Sequence, residues 1–320
     1  MFRVRRQWTT LASVSMTAAA VALVMLPPIN QPNIQLLVTA YDTKPPAAQT
    51  ALQVYHLGHS LVGRDMPAML AQLAPQGHKY ALQLGWGTSL REHWDPALPI
   101  KGFEAENDSP HFRDALDAVR SGDYDAFVLT EMVDLNDAIL YHESGKYLNL
   151  WADAARASDP ETVVYLYETW HRLDDPAGWL ERLDTDLVER WVAHLKYPDL
   201  ERSGTERAVR LIPAGQVLAA VTRKIEATPG GIGGLTSRED LFARSSDGTL
   251  DTIHINDIGK YLVALTHYAV LYRRSPVGLP YVLNKADGTP ANAPSAEAAK
   301  MFQTTVWDVV RSLRMTGVSP

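Results

Sequence analysis

An α/β fold built on a five-stranded parallel sheet, with helices against both faces, is what the sequence predicts. Two observations carry it. Five short apolar runs, at residues 52–57, 80–84, 126–129, 162–167 and 209–212, recur along the chain, and a stretch with helical spacing of apolar residues follows each. The runs are close to continuously apolar, as strands buried on both faces must be, rather than alternating as half-exposed strands do.

Taken in order, the first run stops at Gly58-His59-Ser60 and leads to a helix over 66–73. The second stops at Gly85-Trp86-Gly87-Thr88-Ser89-Leu90 and is followed by a helix over 112–120. The third ends at Thr130-Glu131 before a helix over 147–157. The fourth ends at Glu168-Thr169-Trp170-His171 before a long amphipathic stretch over 177–195, and the fifth precedes a helix over 217–227. A last helix spans 257–272, and no element is read beyond it. Open parallel sheets carry their active groups past the carboxyl ends of the strands, so the first four of these endings are predicted to share one rim. Gly230-Gly231-Ile232-Gly233-Gly234 lacks the Lys-Ser/Thr of a phosphate loop and reads as a surface loop.

Composition narrows the function classes. With 46% hydrophobic residues in 320, the chain can bury a real core, which argues against disorder. It has no cysteine, so disulfides, thiolate metal sites and a cysteine nucleophile are excluded. The net charge is -7. Of the 30 basic residues, Arg3, Arg5 and Arg6 lie in the first forty, which hold no acid, leaving 27 against 37 acidic side chains in the rest. An acidic body without a basic run predicts no nucleic-acid partner.

Those three arginines precede an apolar stretch over 9–26 that Pro27-Pro28 breaks, the pattern of an export signal or an uncleaved membrane anchor. Val38-Thr39-Ala40 fits a small-residue cleavage site. Residues 1–40 are therefore assigned to targeting and 41–320 to one domain. Its opening stretch YDTKPPAAQT (41–50) has the Pro45-Pro46 break of a linker. The predicted location is periplasmic or extracellular, with membrane association through 9–26 as the alternative to release.

Ser60 stands at a strand-to-helix junction, where serine serves equally as an N-cap and as a nucleophile. A serine hydroxyl attacks only when a base takes its proton and a carboxylate orients that base. Asp251 and His254 supply both within one turn's spacing, at the entry to the 257–272 helix. An α/β-hydrolase elbow, G-x-S-x-G, would need a glycine where Val62 stands. His56 and His59 with a carboxylate could in principle bind zinc, but no H-E-x-x-H pair is present, and neither metal nor cofactor is predicted.

A nucleophile just after the first strand, with D-x-x-H near the far end, resembles the SGNH hydrolases, also called GDSL esterases and lipases. The resemblance covers most of residues 52–272 and rests on short blocks: Gly58-His59-Ser60-Leu61, Gly85-Trp86-Gly87-Thr88-Ser89-Leu90, and Asp251-Thr252-Ile253-His254 continuing into Ile255-Asn256-Asp257-Ile258-Gly259. It implies a three-layer α/β/α sandwich of flavodoxin-like type. It also implies Ser60 as nucleophile, His254 as base, Asp251 as its orienting acid, and backbone N–H groups of Ser60 and Gly87 (Gly85 as second choice) around the oxyanion. The family's asparagine after the third strand is missing, and Leu129-Thr130-Glu131-Met132 stands in its place. An ionised Glu131 aimed at an oxyanion would repel it, so Glu131 must turn away or be protonated, or Thr130 or Asn136 must donate instead.

Trp94 and Trp170, each just past a site block, are expected with Glu131 to line a substrate groove. The implied activity is an exported serine esterase acting on acyl esters, acetyl foremost, of small molecules or glycans. An O-acyltransferase using the same three residues, and a carbohydrate-binding protein without turnover, are the alternatives.

Overall fold

The computed structural model describes residues 34–42 and 51–318. The 9–26 stretch therefore lies outside the described residues; among those described, no helix is long and apolar enough to cross a membrane. Among the described residues, helix α1 (Ile34–Asp42) comes first. Strand β1 (Gln53–His59), α2 (Asp65–Leu73) and β2 (Lys79–Gly85) follow, then α3 (Leu90–Trp94), α4 (Phe103–Asn107) and α5 (Ala115–Ser121). After β3 (Ala126–Leu129) come α6 (Leu135–Tyr141) and α7 (Ser144–Ser158). Strand β4 (Val163–Glu168) leads to α8 (Trp179–Asp186), a π-helical stretch (Leu187–Lys196) and α9 (Tyr197–Ser203). Strand β5 (Arg210–Pro213), α10 (Ala214–Ala227), β6 (Phe242–Arg244), β7 (Leu250–Ile255), α11 (Asp257–Tyr272) and α12 (Ala296–Ser312) complete the order.

β1 to β5 form a parallel sheet in the order β2-β1-β3-β4-β5, each predicted run falling on a strand. The strand residues divide by parity between two cores. Val54, Ala126, Val128, Tyr165, Tyr167 and Ile212 pack with residues of α2, α10, α11 and α12. Tyr55, Leu57, Phe127, Leu129, Val164, Leu166 and Leu211 pack with α3, α5, α7 and the π-helical stretch. Side chains of a strand alternate between faces, so a strand with helices on both sides is apolar throughout, and the result is the three-layer α/β/α sandwich. Trp151 on α7, fully buried, stacks on Phe127 with ring centroids 5.9 Å apart. Burying a side chain of that size contributes about 2–3 kcal/mol from apolar area.

The strand order reverses between β1 and β3, where the connections leave toward opposite edges and open a crevice past the carboxyl ends. Ser60 lies immediately beyond β1 at that point.

Four details differ from the sequence expectation. The 177–195 stretch is not one α-helix: its hydrogen bonding widens to i→i+5 from Leu187, and Pro198 sits in the first turn of α9. Residues 41 and 42 belong to α1 rather than to the linker: Tyr41 is buried near Leu200 and Ala208, and its hydroxyl donates to the Val209 carbonyl at 3.1 Å. The antiparallel pair β6–β7 stands apart from the main sheet. Helix α12 buries Ala298, Ala299, Phe302, Val306 and Val310 on one stripe, an i, i+4 pattern beyond the last predicted element.

Candidate active site

Beyond β1 the chain turns through Ser60, with Val62 N–H donating to the His59 carbonyl at 2.9 Å. Helix α2 starts only at Asp65, so Ser60 is not its cap. Two buried imidazoles hold this turn. Nε2 of His59 pairs with the Glu131 carbonyl at 2.8 Å, tying the end of β1 to the end of β3. Nε2 of His93 pairs with the Gly58 carbonyl at 2.9 Å, tying β1 to α3. Burial lowers both rings to about 4, against which the carbonyl bonds and neighbouring imidazoles matter less, so both are neutral near pH 7 and donate from Nε2.

The Ser60 hydroxyl meets Nε2 of His254 at 2.9 Å, although 194 residues separate them in the chain. On the ring's other side Nδ1 of His254 lies 2.8 Å from Oδ2 of Asp251. Both residues sit on β7, not at a helix entry. An i, i+3 pair on a regular strand would point to opposite faces. Here Oδ1 of Asp251 accepts from the backbone N–H of Ile253 at 2.9 Å and of His254 at 3.0 Å, and that local turn brings acid and imidazole together. Burial pushes the Asp251 carboxyl up, but these backbone bonds and the His254 ring outweigh it and hold it below the ordinary carboxylate range. It is therefore ionised at neutral pH.

The ribbon bearing these groups is anchored by the loop after β4. Trp170 Nε1 donates to the Ile253 carbonyl at 2.8 Å, and Leu173 N–H to the Thr252 carbonyl at 2.8 Å. Asn256, which caps α11 through Ile258 and Gly259 N–H, also fixes the ribbon to the Asp240 and Phe242 carbonyls.

Ser60 and His254 open on a cavity of about 680 Å³ that Gly87, Trp86, Asp134 and Arg182 also line. Gly87 adopts a left-handed backbone (φ 57°), a conformation only glycine takes without strain, and so its peptide can turn toward the serine. A second recess of about 260 Å³, bordered by Arg64 and Lys260, shares Ser60 and His254.

None of the three expected groove residues lines this cavity. Trp170 is buried as a support of the ribbon. Trp94 packs edge-on against Trp151, with centroids 4.9 Å apart, on the α3–α7 side of the molecule. Glu131 is fully buried and turns from Ser60: its Oε1 accepts from Met132 N–H at 2.7 Å and from Leu90 N–H, at the start of α3, at 3.2 Å. It therefore occupies an orphan helix donor rather than the oxyanion position. The Thr130 hydroxyl is spent on the Tyr167 carbonyl at 2.7 Å. Asn136 accepts from Arg190 Nε at 3.0 Å and is not among the cavity's lining residues. His56 packs toward His267, at 5.9 Å between centroids, in the layer of α11 and away from Ser60.

Glu168 repeats the Glu131 arrangement one strand further on. Fully buried at the end of β4, it accepts from Gln216 N–H at 3.2 Å in the first turn of α10 and from the Gln216 amide at 3.1 Å. Burial raises the Glu168 carboxyl to about 8 and the Glu131 carboxyl to about 7, against partial opposition from these donors. Below about pH 4.5 folded and unfolded chains both hold the proton, and the contribution to stability is whole. As pH rises the unfolded chain releases it first, so stability is lost through pH 8. The melting temperature of Glu168→Gln minus that of the wild-type chain is accordingly expected to rise between pH 5 and pH 8. A difference that does not change with pH would show Glu168 ionised in the fold.

No family model matches the chain, and no curated protein does. Among solved structures, it is similar to a DUF4886 family protein from Bacteroides uniformis (15% identity over 81% of this chain and 95% of that one, TM-score 0.49). It is also similar to a protein from Parabacteroides merdae described as a GDSL-like lipase (15% identity, 72% and 99% covered, TM-score 0.42). A third is a carbohydrate esterase family 3 structure from Talaromyces cellulolyticus (16% identity, 69% and 97% covered, TM-score 0.36).

Proposed function

We propose that this chain is an exported serine ester hydrolase of the SGNH type, cleaving acetyl esters carried by carbohydrates. The observation that carries the reading is the continuous chain from the Ser60 hydroxyl through His254 to Asp251, at 2.9 and 2.8 Å, opening on a cavity able to hold a substrate. In this reading Nε2 of His254 takes the hydroxyl proton as Oγ of Ser60 attacks the ester carbonyl. Asp251 steadies the imidazolium, and backbone N–H groups of Ser60 and Gly87 receive the oxyanion. The imidazolium then protonates the departing alcohol. Water, activated by the same base, releases the acyl group and restores the serine. The protein's own groups suffice for every step. One fewer oxyanion donor than the family's usual set costs about 3–4 kcal/mol of transition-state stabilisation, which slows turnover without abolishing it.

A fluorophosphonate probe tests the central claim, because it labels only a serine whose hydroxyl has been made nucleophilic. Labelling of the peptide containing Ser60, and its loss when His254 is replaced, is the expected result. Labelling confined to another serine would reject the assignment.

A further inference from the structure

We infer that Trp86 is the platform on which a pyranose ring rests while its acyl group is presented to Ser60; the inference rests on the ester-hydrolase reading above and gives its sugar side a residue. Trp86 lines the same cavity as Ser60 and His254, yet the residue is 54% exposed, an unusual state for so large an apolar group. It is also held rigidly. Its backbone N–H donates to the Lys101 carbonyl at 2.8 Å, and its indole N–H to Oε1 of Glu106 at 2.8 Å.

The face of the ring is fixed by Gly102, whose backbone is left-handed (φ 69°) at the start of α4. A Cβ placed there would overlap Cγ, Cδ2 and Cε2 of the indole at nearly equal separations. An atom equally near three adjacent carbons that include a ring-fusion atom lies over the face, not at the edge. One face of Trp86 is thus laid on the Gly102 backbone, which leaves the opposite face to the solvent-open side.

The ligand chemistry follows from this face and its surroundings. A π-face is electron-rich and attracts the weakly positive C–H groups of an apolar surface. A pyranose has such a C–H face with hydroxyls around its perimeter. Around the cavity stand polar groups suited to those hydroxyls: Asp134, Arg172, Asp175, Arg182 and Glu106. Arg182 is held in place by Asp175 at 2.6 Å and by Asp186 at 2.7 Å. A flat apolar platform within a charged rim fits a sugar ring better than an acyl chain, whose methylenes would displace water from that rim and offer its remaining donors and acceptors nothing in return.

The test measures kcat/KM for a mono-O-acetylated methyl glucopyranoside and for vinyl acetate, and takes their ratio in the wild-type chain, in Trp86→Ala and in Trp86→Phe. The ratio is expected to fall about tenfold in the alanine variant, chiefly through KM, and to recover in large part with phenylalanine. A ratio that Trp86→Ala leaves unchanged, with ester hydrolysis intact, overturns the platform and spares the hydrolase. A loss that grows from vinyl acetate to vinyl butyrate places the ring on the acyl side and overturns it also. If the wild-type chain cleaves neither ester, the hydrolase reading fails by itself. Calorimetric titration with unesterified cellotriose then decides the platform: weaker binding to Trp86→Ala than to the wild-type chain upholds it, and equal or absent binding overturns it.

Discussion

Ser60→Ala is expected to lower kcat/KM for a small activated acetyl ester by about 10⁴-fold or more, with the melting temperature nearly unchanged. The hydroxyl's partner is Nε2 of His254, at 2.9 Å, and the turn that positions it is held by backbone and imidazole bonds that do not involve Oγ. Removing one oxygen therefore deletes the nucleophile and leaves its surroundings in place. What remains is binding and oxyanion stabilisation, and members of such a constellation act as a unit rather than additively. Steady-state hydrolysis and a thermal melt on the same preparation check the expectation together. Activity equal to wild type would remove Ser60 from the mechanism.

Asp251→Asn comes second, with an expected loss of about 10³–10⁴-fold at neutral pH. Oδ1 of Asp251 is occupied by two backbone N–H groups, from Ile253 and His254. The asparagine oxygen would keep those bonds, which leaves its NH₂ facing Nδ1 of His254. A donor there requires Nδ1 to accept, so the ring's proton moves to Nε2, and Nε2 can no longer take one from Ser60. The defect is thus one of tautomer, not of fold. The check is a kcat fall much larger than any change in KM, with an unshifted melt. A variant within tenfold of wild type would show that the ring is oriented by something other than Asp251.

How much of this was legible in the sequence depends on whether the information was local. The five strands were, because burial on both faces leaves a continuous apolar run that needs no knowledge of partners. So was α11, whose start Asn256 caps by accepting from Ile258 and Gly259 N–H. Ser60, His254 and Asp251 stood out because each lies in a short block of distinctive residue types, and the fold brings the three together. The groove residues were misplaced because exposure is not a property of residue type: Trp170 is buried and Trp94 is half-buried against Trp151, whereas Trp86, within the Gly85–Leu90 block, is half open. The signal for Trp86 lay in Gly102 and Glu106, distant in sequence, and only the fold brings them beneath and beside the indole. Glu131 misled for a similar reason, since its partner donor at Leu90 comes from another strand's connection. The ribbon escaped notice because β6 has only three residues, too few for a period to register.

That ribbon has a consequence of its own. The nucleophile is rooted at the end of an interior strand of the main sheet, while base and acid ride on a separate pair of short strands that buries only Phe242 and Ile255 and is otherwise tied down by hydrogen bonds. Regions so lightly fastened open at a lower free-energy cost than the whole domain. Warming should therefore disarm the molecule before it melts it, and cooling should rearm it without a refolding event.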